Sequence, residues 1–501
     1  MEIFSNLATG FGVALTSQNI LYCFAGVFLG TLVGVLPGIG PVTTVAMLLP
    51  ISFTLDPISA MILLAGIYYG AQYGGSTTAI LVNIPGEASS VITTIDGHQM
   101  ARQGRAGPAL GIAALGSFFA GCVATLLISF AAPPMATIAL QFGPAEYFSL
   151  MVCGLIAAVV LAHGSVVKAI AMVVLGLLLG LAGTDVNSGV RRFTFGFHGL
   201  ADGIEFVALS MAIYGLAEVA YNLEQKHKNA TIDVTRNIGR VWPSWQDIKT
   251  CIPSILRGTA LGSLLGVLPG GGALLASFSA YTLEKKVAKP PRNFGHGDIR
   301  GVASPESANN AGAQTSFVPM LTLGIPSNPT MALMIGALMI HGIAPGPRVM
   351  TERPELFWGL IASMWIGNLM LVILNLPLVG LWVRFLRIPY RLLFPAIVGF
   401  CCIGTYTINS NMFDLFAMAF FAVFGYLCLK LECEPAPLIL GFVLGPMMEE
   451  NLRRALLISR GDLTVLVSEP ISLGFLVISA LLLLVLIAPA IRRKREEALQ
   501  E

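Results

Sequence analysis

GVFLGTLVGVLPGIG at residues 26–40 returns as GTALGSLLGVLPGGG at residues 258–272, and this pair of stretches decides how the rest of the chain is read. In each, three glycines spaced by four lie on one helical face, as close helix packing in an apolar medium requires. A Val-Leu-Pro-Gly run follows, in which proline removes a donor and glycine frees the backbone, so the helix ends there. Such an end leaves amides and carbonyls without partners, and these groups can bind an anion or a cation. A simple loop at a membrane surface is the plainer alternative, weakened because both copies break at the same place.

Working outward, Gly70-Ala71-Gln72 matches Gly312-Ala313-Gln314, and Ile84-Pro85 matches Ile325-Pro326. The offset of 232 at the glycine faces becomes 241 to 242 here, so the second copy has gained about ten residues, in EKKVAKPPRNFGHGDIRG at 284–301. That loop is rich in Lys and Arg where its counterpart, 48–57, has no base. Equivalent loops that differ in basic charge predict two copies lying upside down to one another, the inverted repeat of many secondary transporters.

Composition agrees. Only 11% of the 501 residues are charged and 55% are hydrophobic, with a mean hydropathy of +0.79, too little polar surface to cover a soluble enzyme. Runs 3–55, 57–86, 106–145 and 470–490 carry no Asp, Glu, Lys or Arg. Each can cross a hydrocarbon core as helix, which needs about 20 apolar residues, and continuous apolar runs without alternation favour helix over barrel. The expected fold is an all-α polytopic membrane protein with two inverted-topology repeats and discontinuous or re-entrant helices. Its expected divisions are 1–222 (first repeat), 223–249 (cytoplasmic linker), 250–491 (second repeat) and 492–501 (basic tail, cytoplasmic). Glu2 and the lack of a basic start argue for a retained first segment. The short stretches 41–53 and 273–283, and those around Gly74 and Gln314, read as broken helices.

Eight scattered cysteines and six histidines show no metal spacing, so no transition metal is expected. No GxxxxGK[ST], HExxH or GxSxG occurs. Energy for uphill movement would then come from an ion gradient, and an enzyme is not expected. Ser304-Pro305-Glu306 reads as the capped start of a helix, with Glu306 an acid in its first turn.

Neutral polar residues crowd at Gly74–Thr78, Asn309–Ser316, Asn83–Ser89 and Gly324–Thr330, and burying them unpartnered costs about 1 to 3 kcal/mol each. Interhelical hydrogen bonds could satisfy any one of them; matched clusters in both copies point to a solute path. The substrate set is Gly75, Ser76, Thr77, Thr78, Asn83, Ser89, Asn310, Gln314, Thr315, Ser327, Asn328 and Thr330. The ion set, suited to sodium, is Pro37, Gly38, Gly40, Gly74, Pro269, Gly270, Gly272 and Asn309. Both sets are expected to meet near the bilayer midplane.

GVLPGIGP at 34–41, YYGAQYGGSTTAILVNIPGEASS at 68–90, DGHQMARQGRAGPALG at 96–111, FGHGDIRGVASPESANNA at 294–311 and LTLGIPSNPTMALMIGAL at 321–338 resemble the large membrane subunit of the tripartite tricarboxylate transporters. The resemblance covers roughly residues 15 to 450. It implies a bacterial inner-membrane permease for citrate or another small di- or tricarboxylate, working with a small membrane subunit of about four helices and a periplasmic solute-binding protein. It implies no cofactor beyond a coupling cation, sodium being the usual assignment and the proton the alternative. By analogy with other permeases fed by binding proteins, a homodimer and elevator-like movement are expected. A passive anion channel is the rival reading.

Overall fold

The computed structural model describes residues 2–36, 40–162, 165–185, 187–226, 240–268, 272–288, 293–385 and 390–487. Pro37, Gly38, Pro269 and Gly270, residues 227–239 of the linker and the basic tail lie outside them.

Nearly every described segment is helical. The first half holds α1 (Glu2–Ala14), α2 (Ser17–Val35), α3 (Pro41–Phe53), α4 (Pro57–Val82), α5 (Val91–Arg102), α6 (Ala106–Ala139), α7 (Pro144–Leu161), α8 (Val166–Gly180) and α9 (Phe206–Ser210). α9 runs through a π-helical stretch, Met211–Ala217, into α10 (Glu218–Lys226). The second half holds α11 (Trp245–Leu265), α12 (Gly272–Val287), α13 (Arg300–Thr315), α14 (Phe317–Leu323), α15 (Pro329–Ile340), α16 (Arg348–Glu352), α17 (Pro354–Asn375), α18 (Val379–Phe385), α19 (Tyr390–Asn409), α20 (Met412–Lys430), α21 (Ala436–Ile458), α22 (Val465–Ser468) and α23 (Pro470–Ile487). A two-residue ladder, Gly183–Thr184 with Arg191–Arg192, is the sole sheet among the described residues. Helices α2, α6, α17 and α20 are long and apolar enough to cross a membrane.

The glycine faces explain the centre of the packing. A Cβ on Gly26, Gly30 or Gly34 would stand 2.4, 2.4 and 2.3 Å from the carbonyl oxygens of Leu63, Ile67 and Ala71 on α4. In the second copy a Cβ on Gly258, Gly262 or Gly266 would stand 2.3, 2.3 and 2.4 Å from those of Ser304, Ala308 and Gly312 on α13. Each copy repeats the contact at a spacing of four, with the glycines offset by 232 residues and the carbonyls they meet by 241. Only glycine permits this approach.

Two sequence expectations change here. Helix α4 passes unbroken through Gly74 and Gly75, because a helix satisfies its own backbone and these glycines are needed for contact: a Cβ on Gly74 would meet the Thr31 carbonyl oxygen at 2.4 Å. The second copy does break, at Ser316 between α13 and α14. Helix α13 starts at Arg300, so Pro305 sits inside it and Glu306 lies past the first turn, fully buried. The interruptions after Val35 and Leu265 stand as the Pro-Gly runs predict.

Two polar clamps tie distant segments together. Asp96 on α5 accepts through Oδ1 from the backbone amides of Gly295, Gly297 and Asp298 at 2.8, 2.9 and 2.9 Å, and through Oδ2 from the Tyr281 hydroxyl at 2.8 Å. The inserted loop of the second copy is thereby moored to the first. Beyond the spans, the 183–192 hairpin is held to α21 by Arg192–Glu449 (2.7 Å), Arg453–Asp185 (2.9 Å) and Arg453–Glu449 (2.5 Å). Hydrogen bonds from Ser188 and then Arg453 hold the Asp185 carboxyl well below its ordinary range. Arg192 does the same for Glu449, against a smaller opposing cost of desolvation.

Candidate functional site

The site is built where α4 and α14 stop. Helix α4 ends in Asn83 with φ of 57°, and α14 ends in Gly324 with φ of 72°; both are left-handed caps at matching positions. An Ile-Pro pair turns each chain back. Each new helix then starts from an extended residue, Glu87 (φ −150°, ψ 165°) in one copy and Asn328 (φ −156°, ψ 170°) in the other. Asn328 Oδ1 accepts from the Met331 amide at 3.0 Å, the N-cap bond of α15, while Glu87 forms a capping box with Ser90.

These two tips contact the opposite copy reciprocally. Asn328 Nδ2 donates to the Tyr68 hydroxyl at 3.2 Å, and Asn309 Nδ2 donates to Glu87 Oε1 at 3.2 Å. At the offset of 241 that joins the two Ile-Pro turns, Tyr68 corresponds to Asn309 and Glu87 to Asn328. The seat of the first tip is made of three glycines: a Cβ on Gly86 would lie 2.0 Å from the Gly34 carbonyl oxygen and 2.6 Å from Gly75 Cα. From the second copy, Ser277 Oγ on α12 donates to the Ser89 carbonyl at 2.9 Å.

Between the tips opens a cavity of about 480 Å³, lined from the first copy by Gly40, Tyr68, Gln72 and 85–89, and from the second by 272–274 and 328–330. Of the residues singled out from sequence, Gly40, Ser89, Gly272, Asn328 and Thr330 line it. Asn309 reaches its edge through Glu87 and Ser89. The other described ones do not line it. Gly74 and Gly75 are contact surface, and Asn83 is exposed on the outer side of the turn. Thr78 donates to the Val35 carbonyl at 2.9 Å, bracing the end of α2. Thr77 and Thr315 bond back to their own helices, and Ser327 donates to the Ser316 carbonyl behind the tip. Asn310 and Gln314 face away, toward Ser117 on α6 and Asn368 on α17.

Two acids that sequence reasoning gave no binding role stand out here, Glu87 in the cavity lining and Glu306 outside it. Glu306 is fully buried and accepts from Ser76 Oγ at 2.5 Å and from the Thr93 hydroxyl, so Ser76 serves a carboxyl group. Glu87 gathers Ser89, Asn309 and Gln72 around it. The Gln72 amide can face this cluster in two ways. With nitrogen inward it donates to Glu87 Oε1 and to Asn309 Oδ1, both at 2.6 Å. With oxygen inward it would face only acceptors, so the nitrogen-inward orientation satisfies the cluster as it stands. An ionisable residue inside an apolar span is itself the signal that points here.

The family comparison fits this geometry. The model of the tripartite tricarboxylate transporter TctA family matches residues 20–440. The chain belongs to that family. It is therefore a membrane protein and a component of a tricarboxylate transporter that works with partner subunits, in a family of transporter components, not enzymes. It is 58% identical over its whole length, and over 99% of the relative's, to an uncharacterized 52.8 kDa protein in the TAR-I ttuC′ 3′ region of Agrobacterium vitis. A second relative, an uncharacterized protein in the TAR-II ttuC′ 3′ region of the same organism, is 60% identical over 48% of this chain and 99% of its own length. No solved structure matches the chain.

Proposed function

We propose that this chain is the permease of a bacterial inner-membrane importer for a small di- or tricarboxylate, driven by a cation gradient and supplied by a periplasmic binding protein. One observation carries the reading: tips from both sequence copies line a single cavity, which offers the α15 N-terminus, Asn328 and Thr330 to an anion. The Gln72, Glu87, Ser89 and Asn309 cluster at its edge is the sodium position. In this scheme Gln72 turns its oxygen inward when the ion is bound and its nitrogen inward when it leaves. The inverted arrangement in the membrane, with the C-terminus in the cytoplasm, belongs to the same proposal.

The test is uptake by proteoliposomes containing this chain, its small membrane partner and the binding protein, with a panel of di- and tricarboxylates with and without a sodium gradient. Sodium-dependent accumulation of one panel member is expected, weakened by Asn328→Ala and with altered sodium dependence in Glu87→Gln. Downhill flux that never accumulates substrate would identify a channel and refute the proposal.

A further inference from the structure

The cavity carries acids besides Glu87. Glu87, Glu218 and Glu434 line it, and no Lys, Arg or His is among its described lining residues. An anion of two or three charges meets carboxylates here and no fixed positive group, so cations must accompany it. One sodium at Glu87 leaves Glu218 uncompensated.

The surroundings of Glu218 say which cation. Thr43 Oγ1 on α3 lies 2.7 Å from the Tyr214 carbonyl oxygen and 2.7 Å from Glu218 Oε2. A hydroxyl has one proton to give. If it goes to the Tyr214 carbonyl, the short contact to Glu218 is favourable only when the carboxyl holds a proton and donates it to Thr43. The Tyr214 side chain is 7% exposed and lines the same cavity, and its hydroxyl is buried without a partner among the described residues. Tyr214 lies in the π-helical stretch that ends at Glu218, a local widening of the kind that recurs at functional positions.

We propose that Glu218, with Thr43 and Tyr214, is a proton-binding site that must be loaded together with the carboxylate. The proposal rests on the reading that this cavity carries the substrate. The proton enters from the outer aqueous side, sits on Glu218 Oε2 and is donated to Thr43, whose own proton is held by the Tyr214 carbonyl. On the inner side it leaves to water and the bare carboxylate remains, to be protonated again before the next turn. The titratable groups around it are few. Glu87 and Glu434 share the cavity; Cys401, Cys402 and Tyr406 are on α19; Asp414, Tyr426, Cys428 and Lys430 are on α20. Glu205 precedes α9, and Lys430 and Tyr426 are both bonded to Glu224, beyond Glu218 on α10.

The experiment compares wild type, Glu218→Gln and Thr43→Val in the reconstituted complex, using labelled citrate or whichever panel member the wild type exchanges. Glutamine copies the protonated acid. Glu218→Gln is expected to lose accumulation driven by an inward proton gradient far more than it loses substrate exchange with no gradient. Thr43→Val is expected to shift the pH profile of uptake. Accumulation by Glu218→Gln equal to wild type, or loss of exchange together with accumulation in a chain that elutes as a single species, overturns the proposal. A wild type that exchanges no carboxylate refutes the transport reading instead. Infrared difference spectra of the purified chain then read Glu218 directly, through a protonated carboxyl stretch that appears on acidification and is missing in Glu218→Gln; absence of that band in wild type overturns the proton site.

Discussion

Replacing Gly86 by alanine puts one methyl group into the seat of the first tip, and the structure says how far the tip must move. The new carbon would lie 2.0 Å from the Gly34 carbonyl oxygen and 2.6 Å from Gly75 Cα, both backbone atoms of packed helices. Ordinary contact begins near about 3.5 Å. The tip therefore has to lift by more than about 1 Å, carrying Glu87 and Ser89 with it, and overpacking of this kind costs about 1–3 kcal/mol. If the seated tip is the form that binds substrate, that cost becomes about a 5- to 150-fold loss of uptake at low substrate, at 1.4 kcal/mol per factor of ten. Gly86 has no positive φ, so alanine is conformationally acceptable and the effect is steric. Gly474→Ala is the control, since a Cβ there meets nothing within 4 Å. Initial uptake rates and thermal unfolding in detergent are the measurements. Gly86→Ala behaving like Gly474→Ala in both would refute the seating of the tip and everything built on it.

Asn328→Ala should raise the KM for substrate, whereas Gln314→Ala, whose side chain points toward Asn368, should leave KM alone and change only stability; saturation curves separate them. Asp96→Ala removes four hydrogen bonds to one carboxylate, each worth about 1.5–3 kcal/mol and not fully additive, so loss of about 3 kcal/mol or more is expected. Faster amide exchange at 293–299, read by mass spectrometry, would report it. The clamp between the 183–192 hairpin and α21 should be acid-sensitive. Asp185 and Glu449 are held below their ordinary values, so their contribution is present above about pH 4 and is lost as pH falls through the lower folded-state values. Unfolding temperature should drop along that acid limb, and Arg453→Gln should flatten it.

The helical membrane architecture and the duplicated packing were legible because both rest on local rules. Charge-free runs demand helices, and backbone contact between helices demands glycine at every fourth position, so Gly26, Gly30 and Gly34 announce themselves in either copy. The Ile-Pro turns were legible for the same reason. What stayed hidden depends on partners far away in the chain. Asp96 looks like an ordinary helical acid until three amides from a loop about two hundred residues on close around it. Glu306 was read as a cap because Ser-Pro-Glu is a common helix start, yet a buried helix supported by its neighbours tolerates Pro305 in its second turn. Asn310 and Gln314 drew attention as amides in an apolar stretch, but periodicity does not say which side of a fully buried helix faces a cavity.

The reciprocal tips carry one more consequence. Their backbones are near twins, but one bears an acid at the position where the other bears an amide, Glu87 against Asn328. On the proposed reading the two halves divide the labour: the frame stays paired while the ionic task falls to the side that bears the acid. Exchanging the two residues in a single double variant would ask whether the molecule still knows which half is which.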